Sequence, residues 1–199
     1  MDRYKINRIG VLNYWLYDEE EFYFYDGKLL LRGTNGSGKS VTMVSFFPLL
    51  FDGNKNPERL DTFGSRDRKI EDYVLPSTFE GNENTSYLYM EFYNKEKDKY
   101  LTIGIGLRAI RNRNVEFYGF AITDNRRIKQ DFMLYKDSLR KIPLTKRELQ
   151  IEIGSGGHFV TSTKEYKAMV NNLLFGFENE SIYTELINLM LQLRSPKLS

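Results

Sequence analysis

Over residues 101–107, Leu101, Ile103, Ile105 and Leu107 recur at every second position. That period of two marks a strand with one face on a core. Residues 86–93 and 115–123 are similarly rich in apolar and aromatic side chains, and charged turns at 95–99 and 111–114 join the three runs. The pattern predicts an antiparallel meander over about 86–124. Near the start of the chain, residues 6–12 read as a first strand. Residues 21–25 and 28–32 read as a hairpin turning at Asp26-Gly27, a favoured two-residue turn.

The period then changes. Val41, Val44, Phe47 and Leu50 fall at helical spacing, which predicts a helix over about 39–51. A polar segment with Gly and Pro follows over 52–65, then a short helix over 66–73. The last third is helical, over about 162–195. Ser162 and Glu165 have capping-box spacing ahead of Tyr166, Met169, Val170, Leu173 and Leu174. Ser181 is the expected cap of a second helix with Ile182, Leu186, Leu189, Met190 and Leu193 on one face, and Pro196 marks its limit. There is no heptad run, internal repeat or low-complexity tail.

Between the predicted hairpin and the first helix stands Gly33-Thr34-Asn35-Gly36-Ser37-Gly38-Lys39-Ser40. It fits the phosphate-loop pattern G-x-x-x-x-G-K-[ST]. Glycines at 33, 36 and 38 let the backbone turn its N–H groups inward onto phosphate oxygens. Lys39 is then the residue that reaches the β- and γ-phosphates, and the Ser40 hydroxyl is a Mg²⁺ ligand. The following helix presents its positive dipole end to the same anion. A nucleoside triphosphate is the expected ligand.

Composition narrows the remainder. With 199 residues, 41% hydrophobic, 14 Tyr and 14 Phe, the chain is long and apolar enough to bury a core as one large domain or as a domain with an insertion, in the α/β class that its strands and helices predict. Lys and Arg number 29 against 27 Asp and Glu, for a net charge of +2, so no polyanionic partner is demanded. The absence of Cys removes disulfides, thiolate nucleophiles and thiolate metal sites, and fits a cytoplasmic protein. No signal peptide is read at the start, and no apolar run is long enough for a membrane span.

The loop, its antiparallel opening and the strings Leu50-Phe51-Asp52-Gly53-Asn54-Lys55 and Phe63-Gly64-Ser65-Arg66-Asp67-Arg68-Lys69-Ile70-Glu71-Asp72-Tyr73 resemble the amino-terminal half of an SMC-like ATPase head. The match extends over Arg8 to Trp15 and through Leu101–Arg108 to the closing Gln192–Ser199, essentially the whole chain. Within that group the sequence resembles the JetC family, the SMC-like subunits of Wadjet anti-plasmid defence systems, which are related to the condensin subunit MukB. The resemblance implies a P-loop NTPase fold of ABC/SMC type, with mixed and antiparallel sheet plus helices. It implies ATP and Mg²⁺ as cofactors, and a cradle of residues 33–40 joined by Thr42. It also implies DNA translocation or loop extrusion in plasmid restriction, or the related work of chromosome-maintenance and DNA-repair heads.

Several residues gain roles only through this resemblance. Arg66 and Arg68 match the arginine-bearing segment near nucleotide and DNA, against a plain reading as an exposed helix start paired with Asp67 and Glu71. Gln192 matches the glutamine that ligates Mg²⁺ in such heads, although its segment reads as helix rather than strand. The implied partners are a second head in a homodimer, the chain's own carboxy-terminal head lobe, kleisin-like and accessory subunits, and DNA. Walker B and signature motifs belong to the other half of such heads, and the chain is expected to be a truncation or half of a split head. Alone, it is expected to hydrolyse ATP poorly or not at all. The nearest approach to an apolar strand ending in Asp-Glu, Tyr87-Leu88-Tyr89-Met90-Glu91, lacks the Asp and is continued by the strand beyond it, so Glu91 reads as a cross-strand polar residue.

Tyr14, Trp15 and Tyr17 read either as an adenine platform or as core. Arg108, Arg111, Arg113, Arg126, Arg127 and Lys129 read as a basic DNA-facing cluster at the meander's turns or as a solvated rim. His158, alone in a Gly-rich turn, supports no metal site. A small GTPase shares the loop and the D-x-x-G spacing at Asp61 to Gly64, but 54–57 lacks the guanine-reading Asp. A P-loop kinase needs a βαβ core that is absent from the pattern, and a degenerate structural subunit sits poorly with an intact Lys39 and Ser40.

Overall fold

The computed structural model describes residues 4–15, 17–25, 28–29, 46–57, 69–137 and 139–194. Its frame is one seven-stranded sheet, ordered β3-β2-β1-β4-β5-β6-β7. The strands are β1 Lys5–Tyr14, β2 Tyr17–Tyr25, β3 Lys28–Leu29, β4 Glu83–Asn94, β5 Lys99–Ile110, β6 Glu116–Ile122 and β7 Gly157–Val160. Every described strand pair is antiparallel, so the mixed sheet that the resemblance implies is not present among these residues. Hairpin connections explain this: each of the turns after β1, β2, β4 and β5 is too short for the crossover that a parallel neighbour needs.

The helices are α1 Phe47–Asp52, α2 Ile70–Val74, α3 Lys146–Ile153, α4 Thr163–Val170 and α5 Glu180–Arg194. The alternation in β5 does what its period requires. Ile9, Val11, Leu88, Met90, Ile103, Ile105 and Leu107 face a core shared with Leu50, Tyr73, Tyr166 and Tyr183 from α1, α2, α4 and α5. On the opposite face, Leu12, Tyr87, Tyr89, Tyr118 and Phe120 pack under Ile128, Phe132, Leu134, Leu149 and Ile153. The molecule therefore has three layers: helices, sheet, and a mostly irregular segment over 123–145 that ends in α3. Glycines on the second face make room for rings, since a Cβ on Gly10 would sit 2.2 Å from Tyr89 and one on Gly106 2.3 Å from Tyr118.

Several expectations are corrected. β2 begins at Tyr17, four residues earlier than the pattern suggested, because Glu19 and Glu21 sit in ion pairs that make an acidic run compatible with a sheet. A helix is described over Phe47–Asp52 and a short one over Ile70–Val74; the predicted stretches before them, 39–45 and 66–68, lie outside the described residues. Helix α3 was not predicted, although Thr145 and Glu148 form a capping box. His158 lies on edge strand β7 opposite Ala121, not in a turn. Among the described side chains of α5, 181–188, Tyr183 and Ile187 are buried, Leu186 is half-buried and Ile182 is 46% exposed, so Ile182 does not face the core as predicted, while Leu189, Met190 and Leu193 lie outside the described side chains. Asn179, not Ser181, takes the capping position: its Oδ1 accepts from the Ser181 N–H at 2.9 Å.

Candidate functional site

The phosphate loop, Gly33 to Ser40, lies outside the described residues, as do Thr42, Arg66, Arg68 and the Asp61 to Gly64 segment. What the structure describes is the frame on either side of residues 30–45. β3 pairs with β2 through Tyr25 with Lys28 and Phe24 with Leu29, so it runs back toward the sheet end that carries the β1–β2 turn at Trp15.

Beyond the undescribed stretch, α1 is held hard. Pro48 occupies its first turn, where a missing N–H costs nothing. Gly53 ends it in the left-handed region at φ 65°, donating its N–H to the Leu49 carbonyl at 2.8 Å. Two buried phenols complete the helix end. The Tyr166 hydroxyl of α4 donates to the Leu50 carbonyl at 2.5 Å, and the Tyr183 hydroxyl of α5 donates to the Phe51 carbonyl. Last-turn carbonyls have no partner within their own helix, so these bonds satisfy groups that burial would otherwise leave bare. Burial pushes both phenols well above their ordinary pKa, so they remain donors at any physiological pH. Gln192 falls on α5, whose backbone is described there, on the helix so anchored.

The aromatic residues ahead of the loop divide. Tyr14 is fully buried, stacked on Tyr73 at 5.7 Å and edge-on to Phe46 at 5.0 Å, and Tyr17 is core as well. Neither ring is open to a base. Trp15 is half-buried at the turn in a left-handed conformation, φ 56°, unusual for a bulky residue. With Tyr17, Phe79, Ile142 and Pro143 it lines an open groove of about 430 Å³, rimmed by Arg140.

Strand β4 carries, at Glu91, a dense set of ion pairs. Glu91 is 0% exposed. A β-bulge shifts the β1–β4 register between Ile6 and Arg8 and brings Asn7 and Arg8 to the same carboxylate. Asn7 Nδ2 donates to Oε1 at 2.8 Å and Arg8 Nη2 to Oε2 at 2.7 Å. Arg127 adds a fork, Nη2 to Oε1 at 2.9 Å and Nε to Oε2 at 3.1 Å. Arg8 also donates to Glu21 at 3.0 Å, and Tyr89 donates to the same Glu21 oxygen at 3.0 Å. Burial alone would raise the Glu91 carboxyl, but the bonds from Arg127 and Asn7 and the charge of Arg8 hold it below its ordinary value of 4.5. A carboxylate offers about four lone-pair positions, and these four bonds fill them. Glu91 therefore has nothing left for a metal or a water: it is a structural anion.

The basic residues do not converge. Arg108 pairs with Glu116 across β5–β6 at one end of the ladder and Thr102 with Ile122 near the other, about 20 Å apart at ~3.3 Å per residue. Arg111 and Arg113 lie beyond the first end, and Arg126, Arg127 and Lys129 beyond the second. Most are already engaged. Arg108 meets Glu83 at 2.6 Å, Arg111 donates to the Gly81 and Phe79 carbonyls, and Lys129 meets Glu19 at 2.5 Å. Arg126 caps α3 through the Glu152 and Ile153 carbonyls, both at 2.7 Å.

Among the described residues no cluster of acids and histidine is arranged to hold a metal ion, and no helix is long and apolar enough to cross a membrane. Compared with known proteins, the chain matches no family model and no curated sequence.

Proposed function

We propose that this protein is the phosphate-loop half of an SMC-like ATPase head that binds ATP with Mg²⁺ in the cytoplasm. The observation that carries the reading is the string Gly33 to Ser40, standing between β3 and α1. Backbone N–H groups of residues 33–38 would hold the phosphates, Lys39 the β- and γ-phosphates, and Ser40 the metal, with Gln192 as a further metal ligand and Thr42, Arg66 and Arg68 on the nucleotide's flank. The anchored end of α1 is consistent with the reading in a limited way: it fixes the place in the fold to which the chain runs after the loop. So is the direction of β3, toward the groove that Trp15 lines.

Phosphoryl transfer also needs an acid that positions the metal and water. Glu91 is spent in ion pairs and does not supply that group; on this reading the carboxy-terminal head lobe does. In the whole assembly two heads, joined by kleisin-like and accessory subunits, would close on ATP and move DNA, with plasmid restriction as the outcome. Calorimetric titration tests the first step. Mg-ATP should bind in preference to Mg-GTP, Lys39→Ala should abolish binding, and ATP turnover by the isolated chain should be negligible. A folded chain that binds neither nucleotide would sink the proposal.

A further inference from the structure

The segment 123–145 is tied to the second sheet face by buried side chains, Ile128, Phe132, Leu134 and Leu144, and between the last two it leaves the core. Leu134 and Leu144 are the roots of a loop. The Leu144 N–H donates to the Leu134 carbonyl at 2.8 Å, and the Tyr87 hydroxyl donates to the Leu144 carbonyl at 2.6 Å. Above the roots the two legs pair as Tyr135 with Pro143, and the Lys136 N–H donates to the Ile142 carbonyl at 3.0 Å. No described side chain over 135–143 is buried, and Leu139 near the tip is 93% exposed. One leg, Arg140 to Pro143, lines the groove of about 430 Å³, which Trp15, Tyr17, Pro76 and Phe79 line from other elements.

Charge fastens this loop. Lys141 Nζ lies 2.9 Å from Asp18 Oδ2 and 3.5 Å from Glu19 Oε2, and Lys136 Nζ lies 2.5 Å from Glu148 Oε2 on α3. Asp18 is 71% exposed, and ion pairs so placed hold weakly and yield to salt. Lys141 also stands at φ 48°, a left-handed conformation that is costly for a residue with a Cβ and persists only while its surroundings hold it.

We infer that the leg carrying Lys141 is a movable wall of the groove, latched onto β2 through Asp18, and that it swings away from Trp15 when that pair is broken. The roots stay in the core, while the loop above them has no buried apolar group, which puts it at the low-stability end of the molecule. Opening is therefore local and leaves the sheet intact. The inference is independent of the ATPase reading, since none of these residues belongs to the phosphate loop.

Trp15 is the only tryptophan in the chain, so its fluorescence reports on the groove. The test is acrylamide quenching of Trp15 together with amide exchange at Lys136 and Leu144, on the full chain at low and moderate salt. Lys141→Gln and Asp18→Asn should each speed exchange of the Lys136 amide by about twofold to fivefold and raise the quenching, with the Leu144 amide at the root unchanged. Moderate salt should do the same to the wild type and add little to Lys141→Gln. The double variant should move no further than Lys141→Gln alone, because both changes remove one pair. Lys129→Gln, which removes a contact to Glu19 outside the groove, should leave Trp15 as it is. Circular dichroism checks that the variants fold. Quenching and Lys136 exchange that ignore salt and both latch variants, equal acceleration at Leu144, or an equal effect of Lys129→Gln would overturn the inference.

Discussion

Glu91 shows how far a single side chain can depart from what its neighbours in sequence suggest. It is an acid that follows the apolar run Tyr87 to Met90, the kind of place where a catalytic carboxylate would be sought, although β4 continues past it to Asn94. The partners that decide its role come from β1 and from the segment after β6, out of reach of any local pattern. Removing one member of such a buried set leaves the others charged and unmatched. Glu91→Gln should therefore cost about 3–5 kcal/mol of stability at neutral pH, read from urea midpoints. The pH dependence follows from the depressed carboxyl: its contribution is complete above about 4.5 and is lost as pH falls through the lower folded value. Wild type and Glu91→Gln should accordingly converge in stability under acid. Parallel midpoints down to the acid limit would show that the charge carries no stabilisation.

At the scale of elements, strands were legible wherever apolar residues alternate, as in β5, and wherever aromatic residues crowd a short run, as in β4 and β6. Elements whose reason lies elsewhere in the chain were not. Residues 18–21 of β2 are acidic, and α3 buries only Leu149 and Ile153, too few for a periodic signal. β7 is a four-residue edge that exists because β6 offers it a ladder. The frame of the candidate loop was half visible, since capping and spacing announce α1 and α4, while the hydroxyls that tie them together are tertiary. Tyr183→Phe and Tyr166→Phe each strip a buried carbonyl of its donor without creating a large void, and each should lower stability by about 1–2 kcal/mol. If either change is silent in thermal melts, the phenol bonds do not hold α1.

For the molecule as a whole, the helix side and the strap side share one sheet, and β4 and β5 are covered on both faces. Amide exchange should be slowest in these two strands and fastest in β7, which lies at the edge of the described sheet. Uniform protection across all seven strands would contradict this order. The two phenols beneath α1 have a mechanical consequence. They join α1 to α4 and to α5, a helix of about 22 Å at ~1.5 Å per residue. With its terminal carbonyls bonded to α4 and α5, α1 cannot slide along its axis without giving up a bond to each of them.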